Sequence, residues 1–544
     1  MNSYTDDFFQ TLPPTAVYLS DADSNAELTL TFHLAPDIHE NTLRSTIDLS
    51  SIHPKKRQYL AASDLKQRST ANDYAIQRVI EFTKQAGVKT VSSNADTLEV
   101  TVTGTIKQFS QLFSVSFHIY QDENGNPFLA YHGPIQLPDD LRARVTGIDG
   151  LNMGLQAGYV PSKRLKMLPT VEDDSPVKLF IQKPKNLTDF GGVQEQQQQL
   201  VGYSPQELTA QYHFPNNQGE GQTVGIIALG GTFNPSDFAT FCTLFQLEKP
   251  EVQVVGTEPW QPPQSKLINN LEINMDVQMV AGIVPKAKIV VYYAKSFPDG
   301  FRAVLNDTEN KVSVISTSWA NGESNVSQAE KVQSAMLLQQ LSLRGITVLA
   351  ASGDYGVYQV GSNNKVVGVN LPAAYDSVIA CGGTDLFRNG NEQVWHENTN
   401  ASGGGFSVMS PAPAYQHNAL SNYFRQYPMY TKNACATPDL SVNASGRNYT
   451  TMIFNGKPFP AAGTSAATPI IAGLIARLNS ALSYRVGNIN SFLYQLIGSN
   501  AFSSNIPGTN GLPAALGWDP CTGLGSPNGV NLLNIIKQTE GYWE

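Results

Sequence analysis

The sequence predicts an α/β protein: a parallel sheet flanked by helices, preceded by a smaller α+β domain. Three features of the chain point to this class. From about Tyr203 onward, short apolar runs such as "QTVGIIALGG", "AKIVVYYA" and "GITVLAASGD" alternate with helical segments, the pattern of strands buried on both faces. Residues 1 to about 155 show a different pattern, in which strand-like alternation is mixed with amphipathic runs. Between them, roughly 156–200 crowd Pro, Lys, Asp and Gln with no apolar period, the composition of an exposed linker where proteolytic nicking concentrates. The expected division is therefore 1–155, linker 156–200, and 201–544.

In the first domain "ELTLTFHLA", "TLEVTVTG" and "FSVSFHIYQ" read as strands, and "STANDYAIQRVIEFTKQAG" and "TIKQFSQLF" as helices. Asn124-Gly125 between "FHIYQDE" and "NPFLAYHG" is a hairpin turn signal. In the last domain "VSVISTSWA" and "SVIACGGTD" add two further buried strands, and "VSQAEKVQSAMLLQQLSLRG" a connecting helix. In sheets of this kind, reactive groups collect at the strand C-termini.

The bulk numbers narrow the function classes. The 544 residues are 41% hydrophobic and only 15% charged, with a net charge of −9. No basic block exists to neutralise phosphates, which argues against nucleic-acid binding. No run of 18 apolar residues free of charge exists, so no membrane span is expected. The N-terminus "MNSYTDDFFQ" lacks a positive n-region and an apolar core, so no signal peptide is visible. Cys242, Cys381, Cys435 and Cys521 are scattered without zinc-site spacing.

The segment "AAGTSAATPIIAGLIARLN" places Ser465 at the start of an apolar helix, the position of a nucleophile that needs a base. The last domain has only His213, His396 and His417, and none stands in an H-G-T turn. The acids offer another answer. Glu272 and Asp276 are spaced i, i+4 in "NNLEINMDVQMVAGIV", which stacks two carboxylates on one helix face roughly 5–6 Å apart. Such a pair is commonly a solvated surface feature. Here Leu271, Ile273, Met275, Val277 and Met279 flank it, so burial is expected, and burial with a like charge raises a carboxyl pKa toward that of a general base in mild acid. Asp354, after the strand "TVLAASGD", reads either as a helix cap or, protonated, as a donor to a developing oxyanion.

These motifs together resemble the sedolisins, or serine-carboxyl peptidases, and within them the kumamolisin-like pro-enzymes. The segments that carry the resemblance are "GTSAATPIIAGLIARLN", "EINMDVQMVAGIVPKAKIVVYYA", "ISTSWA", "ASGDYG", "SGGGFS", "PDLSVNA" and "GWDPCTGLGSPNG", in the family's order across almost the whole chain. The resemblance implies a subtilisin-like fold with Ser465 as nucleophile, Glu272 as general base, Asp276 as its orienting acid and Asp354 in the oxyanion hole. It implies that Ser318, Trp319, Gly403 and Gly404 line a peptide cleft, and that residues 1–155, ending in "VTGIDGLN", form an activation domain removed in acid. It also implies calcium: Gly517 and Asp519 match the end of the family's site, while Asn505 and Ile506 stand nearest its Asp-Ile pair, a lost carboxylate that lowers affinity.

The expected partners are protein or peptide substrates and the chain's own propeptide as an intramolecular inhibitor, in a monomer. The expected setting is secreted or an acidic extracytoplasmic compartment. Within the family, an endopeptidase is expected, with a tripeptidyl-type exopeptidase as the alternative. An inert binding protein on the same fold is disfavoured because all four catalytic positions are intact.

Overall fold

The computed structural model describes residues 16–35, 49, 52–61, 63–64, 73–94, 98–121, 127–142, 144–151, 178–179, 202–259, 263–362 and 366–541. They gather into two compact units. One holds the described residues within Met1–Leu43, Ser63–Glu172 and Ser327–Met336, and the other those within Arg44–Ala62, Asp173–Val326 and Leu337–Glu544.

The first unit is α+β. Strands β1 (Val17–Asp21), β2 (Glu27–Leu34), β3 (Lys89–Asn94), β4 (Glu99–Thr105), β5 (Ser116–Gln121), β6 (Pro127–His132) and β7 (Val145–Asp149) form two antiparallel sheets, ordered β1-β5-β6 and β3-β4-β2-β7. Helices α1 (Asp73–Gln85) and α2 (Ile106–Phe113) bury Val79, Phe109 and Phe113 with Leu30 and Phe32 of β2. Thr105 starts α2 through a reciprocal capping box with Gln108, which satisfies two backbone donors that a helix start leaves open. The pairing of β5 with β6 agrees with the expected hairpin; the Asn124-Gly125 turn itself lies outside the described residues.

The second unit is built on a parallel sheet. After β8 (Lys178–Leu179) come β9 (Thr223–Ala228), helix α3 (Pro235–Leu244), β10 (Val252–Val255), α4 (Pro263–Ile283), β11 (Lys288–Tyr293), α5 (Phe297–Asn306), β12 (Val314–Thr317), β13 (Trp319–Gly322), α6 (Gln328–Leu343, of which the part from Leu337 belongs to this unit), β14 (Thr347–Ala351), β15 (Asn370–Leu371), β16 (Val378–Leu386) and β17 (Glu392–Val394). Strands β10-β11-β9-β12-β14-β16 pair in that order, all parallel, with β17 antiparallel at one edge and Leu440–Asn443 parallel beside β16. Every residue of β9, β12, β14 and β16 is buried, which explains why these runs are continuous rather than alternating.

Helix α7 (Thr464–Leu482) crosses this core, with every residue from Thr464 to Asn479 buried. By length and composition it could cross a membrane, but 89% of its apolar window is buried inside the protein, as in a core helix. A Cβ added to Gly473 would come 2.4 Å from the Ile283 side chain, so this glycine lets α7 approach α4 closely.

Candidate active site

Helix α4 is buried on nearly all sides and carries two polar stripes. Asn274 and Gln278 hold it in place. Asn274 accepts from Asn234 N–H (2.7 Å) and donates to Thr232 O (2.9 Å), while Gln278 exchanges two hydrogen bonds with the backbone of Ile453 (2.7 and 2.8 Å). Buried amides that both donate and accept fix a helix in rotation as well as position. The other stripe is Glu272 and Asp276, both 0% exposed, and the clamped helix turns these carboxyls inward.

Ser465 enters at the second residue of α7, behind Gly463, whose φ of 85° is open to glycine and turns the chain into the helix. Ser318, between β12 and β13, joins the two helices. Its hydroxyl lies 2.6 Å from Asp276 Oδ1 and 3.2 Å from the carbonyl oxygen of Ser465, and the short contact to the carboxylate is the bond its one proton makes. Asp354 closes the group: its Oδ1 accepts from Thr464 N–H (2.8 Å) and the Thr464 hydroxyl (2.9 Å). It is thus a helix cap, but of α7, which begins 110 residues later, and not of the next helix in the chain. Its Oδ2 is buried with no partner, as are Ser465 Oγ, Asp276 Oδ2 and both Glu272 oxygens. Four reactive groups with free valences in one buried place are what a site awaiting substrate requires.

Burial pushes the Glu272 carboxyl well above the usual range, the Asp276 charge and then that of Asp354 add to this, and the hydroxyls of Ser465 and Ser318 draw it back. The Ser465 hydroxyl therefore stands close to Glu272, though no hydrogen bond of ordinary geometry closes between them, a common state before substrate arrives. Burial raises Asp276 too, against the pull of Ser318. Asp354 is raised by burial to about 7, against its bonds from Thr464. At mildly acid pH this arrangement holds a hydroxyl beside a carboxyl pair that shares protons, with a neutral carboxylic acid able to donate from Oδ2.

None of the three histidines stands here. His213, His396 and His417 are exposed, and the last two bond the carbonyls of Thr509 and Ala412. Trp319 is 2% exposed and begins β13, whose outer edge pairs antiparallel with β8: Trp319 opposite Leu179 and Ala320 opposite Lys178. Gly403 and Gly404 donate their N–H groups to Gly353 O (2.6 Å) and Gly356 O (3.0 Å), so they brace the Asp354 loop and offer a ligand only their carbonyls. Both must be glycine, since a Cβ at Gly403 would lie 2.5 Å from Ser352 O and one at Gly404 2.0 Å from Pro520 O.

The side chains expected around calcium do not converge with oxygens left free for a cation. Asn505 is exposed and Ile506 packs with Val394 and Cys521. Asp519 is buried, and its oxygens accept from the N–H groups of Ala515, Cys521 and Thr522 and lie near the Thr522 hydroxyl. Donors aimed at a carboxylate repel a cation. Asn510 instead ties the neighbouring loops, its Nδ2 donating to Ser402 O (2.9 Å) and Pro520 O (2.8 Å). Among the described residues no three His, Cys, Asp or Glu side chains are grouped to hold a metal.

The sequence marked Ser318 only as a residue lining the cleft and gave no place to Asn274, Gln278 and Asn510. For Asn274 and Gln278 the available signal was polar residues at i, i+4 inside an otherwise apolar helix, the same signal that marked Glu272 and Asp276; Asn510, in a loop, carried none.

The chain is similar to known proteins along most of its length. Residues 14–153 match the family model "Pro-kumamolisin, activation domain", and residues 222–518 match "Subtilase family". Kumamolisin of a Bacillus species (strain MN-32) is 27% identical over 501 residues, covering 88% of this chain and 85% of that one. Human tripeptidyl-peptidase 1 is 26% identical over 580 residues, covering 97% and 94%. Among solved structures, Pseudomonas sedolisin, described as a serine-carboxyl proteinase complexed with pseudo-iodotyrostatin, superposes with a TM-score of 0.55 at 26% identity, over 62% of this chain and 99% of that one.

Proposed function

The chain belongs to the subtilase family, as a sedolisin-type serine peptidase with its own activation domain, and from that premise we propose an endopeptidase that works in acid through a Ser-Glu-Asp triad. The observation that carries the triad is the buried convergence of Ser465, Glu272, Asp276 and Asp354, with their reactive atoms unpartnered. Ser465 Oγ attacks the peptide carbonyl carbon as its proton passes to Glu272. Asp276, shared with Glu272 in one titrating pair and anchored by Ser318, holds the charge that Glu272 gains or loses. The oxyanion receives a hydrogen bond from the protonated Oδ2 of Asp354. Glu272 returns the proton to the departing amine, leaving an acyl-enzyme, and water then repeats the sequence in reverse to release the acid.

Two conditions set the working pH: Asp354 must be protonated and the Glu272–Asp276 pair must have lost a proton. The rate should therefore fall as pH rises through about 7, where Asp354 ionises. Such an enzyme suits a secreted or acidic extracytoplasmic setting.

The endopeptidase mode is supported by β8. An internal stretch of this chain pairs with the edge of β13 beside Ser318, in the way an extended peptide adds a strand. A cleft edge that accepts an internal segment does not require a free N-terminus. The same pairing supports the linker as an intramolecular blocker and first substrate. The test is a pH–rate profile on internally quenched peptides, alongside tripeptide substrates with free and blocked N-termini. Cleavage of the blocked and quenched peptides with an optimum below neutrality is expected. An optimum at pH 8–9 would reject the carboxylate base, and cleavage confined to free N-termini would assign the tripeptidyl mode instead.

A further inference from the structure

Residues 52–61 lie within the stretch that matches the activation domain, yet they pack into the catalytic unit. Arg57 is 8% exposed, and its guanidinium donates to Ile52 O (2.9 Å), Val486 O (2.8 Å) and Asn488 O (2.6 Å). His53 is fully buried. One ring nitrogen accepts from Lys55 N–H (3.2 Å) and the other donates to Ile536 O (3.0 Å), while its ring meets Phe492 edge-on. Tyr59 enters a slot between two glycines: a Cβ on Gly345 would lie 2.5 Å from its ring, and one on Gly487 2.5 Å from its hydroxyl. Leu60 N–H adds a bond to Leu343 O (2.8 Å), and Lys55 pairs with Glu540 at 2.6 Å. A buried guanidinium on loop carbonyls and an aromatic ring in a glycine slot are features of a specific, desolvated interface.

This socket lies away from the chemistry. It is made by the chain after the C-terminus of α7 and by the turn entering β14, whereas Ser465 opens α7 and Asp354 follows β14. A helix of 19 residues spans about 28 Å, which separates the two places.

We infer that residues 53–60 are a second anchor, by which the activation domain grips the catalytic unit at the far end of α7 from Ser465. It rests on the pro-enzyme reading and adds a step to it. Cutting the linker leaves the N-terminal fragment bound, and the enzyme is freed only when the anchor lets go. Two contacts in series make activation depend on both scission and release.

The test separates the anchor from the chemistry by using the Ser465→Ala precursor, with a recognition sequence for an exogenous site-specific protease placed in the linker. After that cut, at neutral pH, the two fragments should co-elute on gel filtration. In the Arg57→Ala/Tyr59→Ala variant the N-terminal fragment should leave at least about tenfold faster, as loss of a buried charged anchor implies. Immediate separation of the parent fragments, or equal dissociation in both, would overturn the inference. Because that variant could fold poorly, a surface charge swap supplies a second arm. Lys55→Glu should speed dissociation several-fold and Glu540→Lys in the same chain should restore it; no restoration counts against the socket. Neither arm depends on activity, so the anchor can fail while the proposed triad stands.

Discussion

The two units meet acid in opposite ways. In the catalytic unit the decisive carboxyls are buried and raised: burial lifts Asp354 and Asp439 to about 7 and Asp519 to about 6, and raises Glu272, Asp276 and Glu392. In the first unit the shifted carboxyls are surface groups held low by cations and donors. The Arg78 guanidinium lowers Asp140, and the Tyr18 hydroxyl and then His118 lower Asp21. A raised carboxyl contributes stability fully below its unfolded value and loses it as pH rises through its folded one. A lowered carboxyl contributes above its unfolded value and loses it as pH falls through its folded one. Acidification from neutrality to below about 4 therefore strengthens the catalytic unit while it strips the first unit of its carboxylate pairs. Exposed pairs weigh little in either unit, whether Glu207 with Arg388 in the catalytic unit or Asp140 with Arg78 in the first, so the buried carboxyls carry most of the contrast. His33 keeps its charge throughout: burial would lower it, but bonds to Asp149 and Glu99 outweigh that and raise it to about 9. Where a carboxyl is buried, more than how many there are, decides which unit acid favours.

That contrast can be broken most forcefully at the buried acids themselves. Ser465→Ala and Glu272→Gln should each lower kcat by about 10⁴-fold or more and abolish self-cleavage of the precursor near pH 4, read on a gel, while both proteins stay folded. Normal processing by Glu272→Gln would remove the carboxylate base from the scheme. Next in size, Asp354→Ala should cost about 10²–10³-fold in kcat, as loss of an oxyanion donor does. Asp354→Asn keeps an acceptor for Thr464 and a donor without a titrating proton. Its activity should lose less, the fall above about pH 7 should disappear, and its thermal midpoint at pH 8 should rise, because a buried charge is gone. A profile unchanged from the parent would assign that limb to another group.

A direct measure of the comparison is hydrogen exchange of the Ser465→Ala precursor at pH 4 and pH 7.5, corrected for intrinsic rates. Protection in α4 and α7 should rise in acid and protection in β1 to β7 should fall; the same sign in both units would refute the contrast. A smaller effect is expected at Ser318. Ser318→Ala removes the bond that lowers Asp276, so the acid limb should move upward and kcat should fall about tenfold, the scale of one hydrogen bond to a charged group. A loss of rate with no shift of that limb would mean that Ser318 only packs. The smallest effect is a chelator's: with Asp519 spent on N–H donors, EDTA should leave the melting temperature unchanged, and a fall of several degrees would show a bound cation.

Much of this was legible in the chain because the signals are local. Continuous apolar runs marked β9, β11, β12, β14 and β16, and the Glu272–Asp276 spacing marked a helix face before any fold was in view. Ser318 was hard to read because its partner, Asp276, is 42 residues away, and a serine between two strands looks the same whether it faces a carboxylate or solvent. The Asp354 carboxyl offered two local readings, cap or oxyanion donor. The structure shows the capping bond on one oxygen and leaves the other free, so the two readings use different atoms of one side chain. The expected calcium residues pose a related difficulty: identity along a loop says nothing of whether donors or acceptors face the carboxylate.

By itself the sequence determined the fold class and the order of strands and helices, because periodicity and spacing are properties of the local chain, and its motifs singled out Ser465, Glu272, Asp276 and Asp354 as the candidates for the chemistry. Tertiary structure alone decided how far the carboxyl pKa values move, which hydroxyl steadies Asp276, and that residues 53–60 lodge in a slot built more than 280 positions later. Those outcomes depend on desolvation and on contacts between distant segments, and such quantities exist only once the chain has closed around them.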